Sequence, residues 1–99
     1  MSIIEGLNKN FESNVRLGIM SILVVNESVD FKTLKEMLNV SDGNLASHIK
    51  SLEKVNYIIV EKKFIGKKTN TSYIATLQGK QAFKNHIEAI ENFLKSNNK

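Results

Sequence analysis

LKEMLNVSDGNLASHIKSLEK, residues 34–54, carries two apolar series separated by a break at Asn39. Leu34 and Leu38 belong to the first. Leu45, Ile49 and Leu52 belong to the second, at helical spacing and on one stripe. Asn39 tolerates the left-handed backbone that a tight inter-helix turn needs. Ser41 stands where a helix N-cap oxygen accepts an orphan backbone N–H. The expectation is two short helices, 31–38 and 42–55, with Val40 plugging the angle between them. The second helix turns Gly43, Asn44, Ser47, Lys50, Ser51 and Lys54 away from its apolar stripe. That face is small and polar, with positive charge towards its end. It is either a solvated side or a surface that presents short polar side chains to a partner, and the flanking sequence decides which.

Upstream, Asp30 is a good N-cap for the first of these helices, whose inner face is Phe31, Leu34 and Leu38 with Met37 beside them. Residues 26–30 break the chain, with room for a minimal edge strand at 28–29. Residues 11–25 read as a helix. Phe11 and Val15 nearly align in its first half, and Leu17 to Val25 is apolar almost all round. Such a helix needs cover on every side, from the core and from another helix or another chain. Residues 1–10, carrying Ile3, Ile4 and Leu7, are expected as an irregular arm or a short helix. Arg16 is the only arginine, suited to a phosphate or to a carboxylate partner.

Downstream, YIIVEKKF (57–64) and SYIATL (72–77) are β-branched and aromatic and read as strands. IGKKTNT between them reads as a flexible basic tip, so 57–77 is a hairpin. Thr76 can cap a last helix over 77–95. Phe83, Ile87, Ile90 and Leu94 form its stripe, with Ala82, Ala89 and Phe93 on the shoulder, a sector wider than one contact requires. A helix-turn-helix at 31–55 followed by a basic hairpin, flanked by helices at 11–25 and 77–95, is a mainly α chain with a small β-hairpin. This is the winged helix-turn-helix arrangement, and several independent local signals agree on it.

Composition narrows the function classes. Ninety-nine residues suit one domain, 1–99. No apolar run is long enough to span a bilayer, and no signal pattern opens the chain, so no membrane partner and a cytoplasmic location are expected. Cysteine is absent, which removes disulfides, thiolate metal sites and Cys nucleophiles. Two isolated histidines do not make a zinc site, and neither metal nor cofactor is expected. Ser47 and His48 are adjacent on a helix and point apart, no orienting acid accompanies them, and no Gly-rich phosphate loop follows a strand; the chain does not read as an enzyme. The net charge is +4. Between Tyr57 and Lys80 lie Lys62, Lys63, Lys67, Lys68 and Lys80 against Glu61 alone, an excess equal to that whole charge. A basic hairpin beside a polar helix face fits double-stranded DNA.

The chain from Asn14 to Leu94 resembles the small winged-helix DNA-binding transcriptional regulators of the MarR/ArsR-like group. VRLGIMSIL (15–23), DFKTLKEMLNVSDGNLASHIKSLEKVNYI (30–58), VEKKFIGKKTNTSY (60–73) and GKQAF (79–83) carry the resemblance. Asn56 stands where family members often have Gly, and Ser47 where a basic residue is common. The resemblance implies a homodimer, DNA binding and a role in transcription.

The candidate DNA contacts are Ser41, Gly43, Asn44, Ser47, His48, Lys50, Ser51 and Lys54 on the recognition helix, and Lys62, Lys63, Lys67, Lys68 and Asn70 in the wing. Asn44 can be bidentate to adenine, Ser is nearly indifferent to the base, and lysines suit phosphates. Asp42 is read as structural, favoured by the helix dipole though repelling a phosphate, with acceptance from a cytosine amine as the lesser alternative. His48 flanks the core stripe, as support or a phosphate contact. The candidate dimer contact is Phe11, Val15, Phe83, His86, Ile87, Ile90, Phe93 and Leu94. His86 is either a neutral, hydrogen-bonded histidine at a packing interface or a pH-sensitive element of the dimer. A small-molecule effector between the terminal helices is compatible with this layout, but no residue marks its place. The alternative reading is a winged-helix adaptor that contacts protein and not DNA.

Overall fold

The structure, a computed structural model, describes residues 6–96. A 3-10 turn at Lys9–Phe11 leads into α1 (Asn14–Leu23), β1 (Val29–Asp30), α2 (Phe31–Leu38), α3 (Asp42–Lys54), β2 (Ile58–Ile65), β3 (Lys68–Ala75) and α4 (Leu77–Ser96). The three strands form one antiparallel sheet in the order β1-β3-β2.

Each helix begins at a side chain that accepts a backbone N–H. Ser13 accepts from Arg16 N at 3.3 Å, Asp30 from Thr33 N at 2.8 Å and Ser41 from Asn44 N at 3.1 Å. These bonds replace water on N–H groups the helix itself cannot satisfy. Hydrogen bonding from Thr33, its side chain first and then its backbone N–H, holds the Asp30 carboxyl below its ordinary pKa. Asn39 (φ 53°) and Asn56 (φ 63°) end α2 and α3 in the left-handed region. These are the two places where a glycine would serve, and asparagine is the next most tolerant residue.

Leu34 of α2 and Leu45, Ile49 and Leu52 of α3 meet Ile19, Met20 and Leu23 of α1 in the core, which the sheet closes with Ile58, Tyr73 and Ala75. Phe11 completes it from the 3-10 turn, against Tyr57 (ring centroids 5.5 Å), Phe83 (5.9 Å) and His86 (5.2 Å).

The start of α4 is locked to the end of α3. Thr76 Oγ1 accepts from Gly79 N at 2.9 Å and donates to the Asn56 carbonyl at 2.6 Å, while Thr76 N donates to the Tyr57 carbonyl at 3.0 Å. Gly79 lies directly over that carbonyl. A Cβ there would stand 2.1 Å from Tyr57 O, so the close approach requires glycine.

Four expectations need correction. The helix expected over 11–25 is a 3-10 turn followed by α1, because Asn8 and Ser13 each cap a separate segment. The edge strand is Val29–Asp30, one residue later than the 28–29 expected, set by pairing with Tyr73 and Ser72. Met37 is exposed. The loop expected at 65–71 is almost all strand. Ile65 pairs with Lys68, Phe64 with Thr69, Lys63 with Asn70 and Lys62 with Thr71. Gly66, at φ +67°, allows a two-residue turn, so the polar residues pair instead of looping. Ile3 and Ile4 of the expected arm lie outside the described residues.

Candidate nucleic-acid interface

α3 buries Leu45, Ile49 and Leu52 and leaves Ser41, Gly43, Asn44, Ser47, Lys50 and Lys54 exposed. The helix is thus held by one stripe while a polar face stays open along its length. Asp42, in the first turn, forms an ion pair with Lys35 of α2 at 2.8 Å. The pair partly offsets a negative charge that would repel a phosphate from this end of the helix.

His48 and Ser51 are half-buried, and both are engaged by Arg16 of α1. Arg16 Nε donates to His48 Nδ1 at 3.0 Å, and Arg16 Nη2 donates to Ser51 Oγ at 3.4 Å. Ser51 Oγ donates in turn to the Ser47 carbonyl at 3.2 Å. An acceptor at Nδ1 means that His48 is neutral with its proton on Nε2. Burial, and then the Arg16 cation, lower its pKa. Arg16 forms no ion pair with a carboxylate among the described residues, so an uncompensated guanidinium stands beside α3. From the sequence alone, Arg16 suits a phosphate or a carboxylate equally. Its position beside His48 is a tertiary fact, since 32 residues separate the two.

The wing runs the full length of β2 and β3 to the Gly66–Lys67 turn. Lys63 is tied to Glu61 on its own strand at 2.9 Å, and that hydrogen bond raises its pKa. Lys62, Lys67 and Lys68 form no ion pair among the described residues. Asn70 is half-buried opposite Lys63. By strand alternation Lys62 and Phe64 share a face with the core residues Ile58 and Val60, whereas Lys63 and Ile65 share the other.

The residues expected at a dimer contact divide. Phe11 (2% exposed) and His86 (6%) are inside the subunit and offer almost no area to a second chain. His86 Nδ1 accepts from Asn8 N at 3.0 Å, and burial lowers its pKa. Val15 and Phe83 are half-buried against the core. Ile87, Ile90 and Phe93 are half-buried along α4, and Leu94 is 58% exposed near its end. A cleft of about 410 Å³, lined by Leu7, Asn8, Lys9, Glu12, His86 and Ile90, lies between the first described residues and α4.

Among the described residues no cluster of three or more His, Cys, Asp or Glu side chains could hold a metal ion, and no helix is long and apolar enough to cross a membrane.

The chain is similar to an uncharacterised protein of Methanocaldococcus jannaschii, 40% identical over 82 residues that cover 83% of this chain and 89% of that one. It is similar in structure to a transcriptional regulator homologue from Pyrococcus horikoshii, with TM-score 0.79 and 25% identity over 96% of this chain and 99% of the other. The fold also matches Bacillus subtilis PadR, solved in complex with operator DNA, with TM-score 0.66 and 15% identity, over 74% of this chain and 46% of that one. Residues 15–94 match the family of the winged helix DNA-binding domain, and the chain belongs to that family.

Proposed function

We propose that this chain is a sequence-specific regulator of transcription that binds double-stranded DNA as a homodimer. α3 enters the major groove, and the basic wing reaches phosphates or the minor groove. One observation carries the reading. The polar face of α3 and the wing lysines Lys62, Lys67 and Lys68 stay exposed while the apolar stripe of the same helix is fully committed to the core. Asn44 and Ser47 meet base edges, Lys50 and Lys54 meet phosphates, and Arg16 fixes α3 through His48 and Ser51. The similar Pyrococcus horikoshii protein, named as a transcriptional regulator homologue, supports the same role. The apolar residues along α4, from Ile87 to Leu94, face a second copy, so that two α3 helices read half-sites about one duplex turn (~34 Å) apart.

Binding to random duplex, measured across salt concentrations, tests the proposal. Each phosphate contact contributes about 0.9 to the log–log salt slope, so replacing Lys67 and Lys68 with Ala lowers the slope by about 1.8 and weakens binding on every sequence. Absence of salt-sensitive DNA binding would favour the protein-contact adaptor. Mass in solution tests the dimer, and a strict monomer at tens of micromolar would sink it without touching the fold.

A further inference from the structure

Two large apolar side chains stand uncovered at the end of the wing. Phe64 is 81% exposed and Ile65 is 64% exposed, on opposite faces of the hairpin just before the Gly66–Lys67 turn. The core uses neither, because sheet burial ends near Val60 and Tyr73. Water is a poor environment for a phenyl ring, and exposed hairpin ends usually carry charge for that reason. Here the ring is set among cations. Lys62 lies two residues before it on the same face, Lys67 is in the turn, and Lys68 pairs with Ile65. All three lack an ion pair among the described residues.

We propose that the wing tip enters the minor groove and wedges Phe64 against a base step, with Lys67 and Lys68 on the flanking phosphates. This rests on the reading of the chain as DNA-binding. The lysines complement phosphate, and a minor groove about 6 Å wide admits only a turn and the side chain beside it. Phenylalanine is among the side chains that part-unstack bases from that groove, and TA steps yield most readily, whereas A-tracts are stiff. The wing therefore selects deformable A·T sequence beside the site that α3 reads.

The test compares two duplexes of equal length, charge and base composition: alternating dA-dT, which is rich in TA steps, and oligo(dA)·oligo(dT), which has none. The wild-type protein binds the alternating duplex about tenfold more tightly, and Phe64→Ala abolishes that preference while leaving the salt slope unchanged. Phe64→Leu retains most of it. 2-Aminopurine placed at a TA step brightens with the wild type and not with Phe64→Ala. Because Phe64 is exposed, its removal leaves the melting temperature unchanged.

If Phe64→Ala matches the wild type on both duplexes with the salt slope intact, the wedge is wrong and the DNA reading survives. Equal weakening on both duplexes would make Phe64 a contact blind to base step, and would also overturn the wedge. Salt-sensitive binding to neither duplex would bring down both readings. Phe64-dependent binding to phosphatidylserine vesicles without DNA binding would assign the tip to a membrane surface instead.

Discussion

Gly79→Ala should be the most informative single substitution for the architecture. The new Cβ would sit 2.1 Å from Tyr57 O, 2.8 Å from its carbonyl carbon and 2.9 Å from its Cα. All three atoms are backbone, so no side chain can swing aside. Relief requires α4 to move by about 1 Å from the end of α3, since ordinary carbon contacts lie above 3 Å. That movement strains the bonds Thr76 N to Tyr57 O and Thr76 Oγ1 to Asn56 O. Each bond is worth about 1 kcal/mol and overpacking costs about 1–3 kcal/mol, while alanine returns up to about 1 kcal/mol of helix propensity. The net loss is about 2–4 kcal/mol, or on the order of 15 °C in Tm for a domain of this size. Urea unfolding followed by circular dichroism gives the number. Gly43→Ala, where no atom lies within 4 Å, is the control and changes stability by no more than about 1 kcal/mol. If Gly79→Ala proves as benign as Gly43→Ala, α4 does not depend on that close approach.

Other substitutions probe the core and the site. Leu45→Ala, at a fully buried position, should cost about 2–5 kcal/mol by the same assay. Arg16→Lys keeps the charge but loses the paired donors to His48 and Ser51. It should weaken DNA binding several-fold at unchanged salt slope, whereas Arg16→Gln, which removes the charge, would lower the slope by about 0.9 only if Arg16 were itself a phosphate contact. His48 and His86 both have folded pKa values lowered by burial, so the folded chain holds fewer protons than the unfolded one. Their contribution is complete above the unfolded value near 6.5 and is lost as pH falls through the lower folded values. Tm should therefore drop as pH falls below about 6.5, and His86→Phe should flatten part of that drop. A Tm that stays level over this window would show that neither histidine is held neutral by the fold.

Local chemistry made much of the fold legible. The N-caps at Asp30 and Ser41, the asparagine terminators at Asn39 and Asn56, and the Leu45–Ile49–Leu52 stripe act within a few residues, so short stretches of sequence display them. The polar face of α3 could be read for the same reason, since a helix that buries one stripe must expose the other. Tertiary packing decided what depends on distant partners. Phe11 and His86 looked available to a second chain, yet Tyr57, Phe83 and the Asn8 amide draw them inside. Arg16 had two plausible partner classes until folding set it beside His48. Residues 65–71 read as loop because their polarity is local, but register with β2 makes almost all of them strand. That pairing also carries Phe64 out to the wing tip, where a residue that belongs in a core by composition ends in water. Helix boundaries and faces were fixed by neighbours along the chain. Which surfaces stay open was fixed by neighbours across it, because burial is a property of the packed whole.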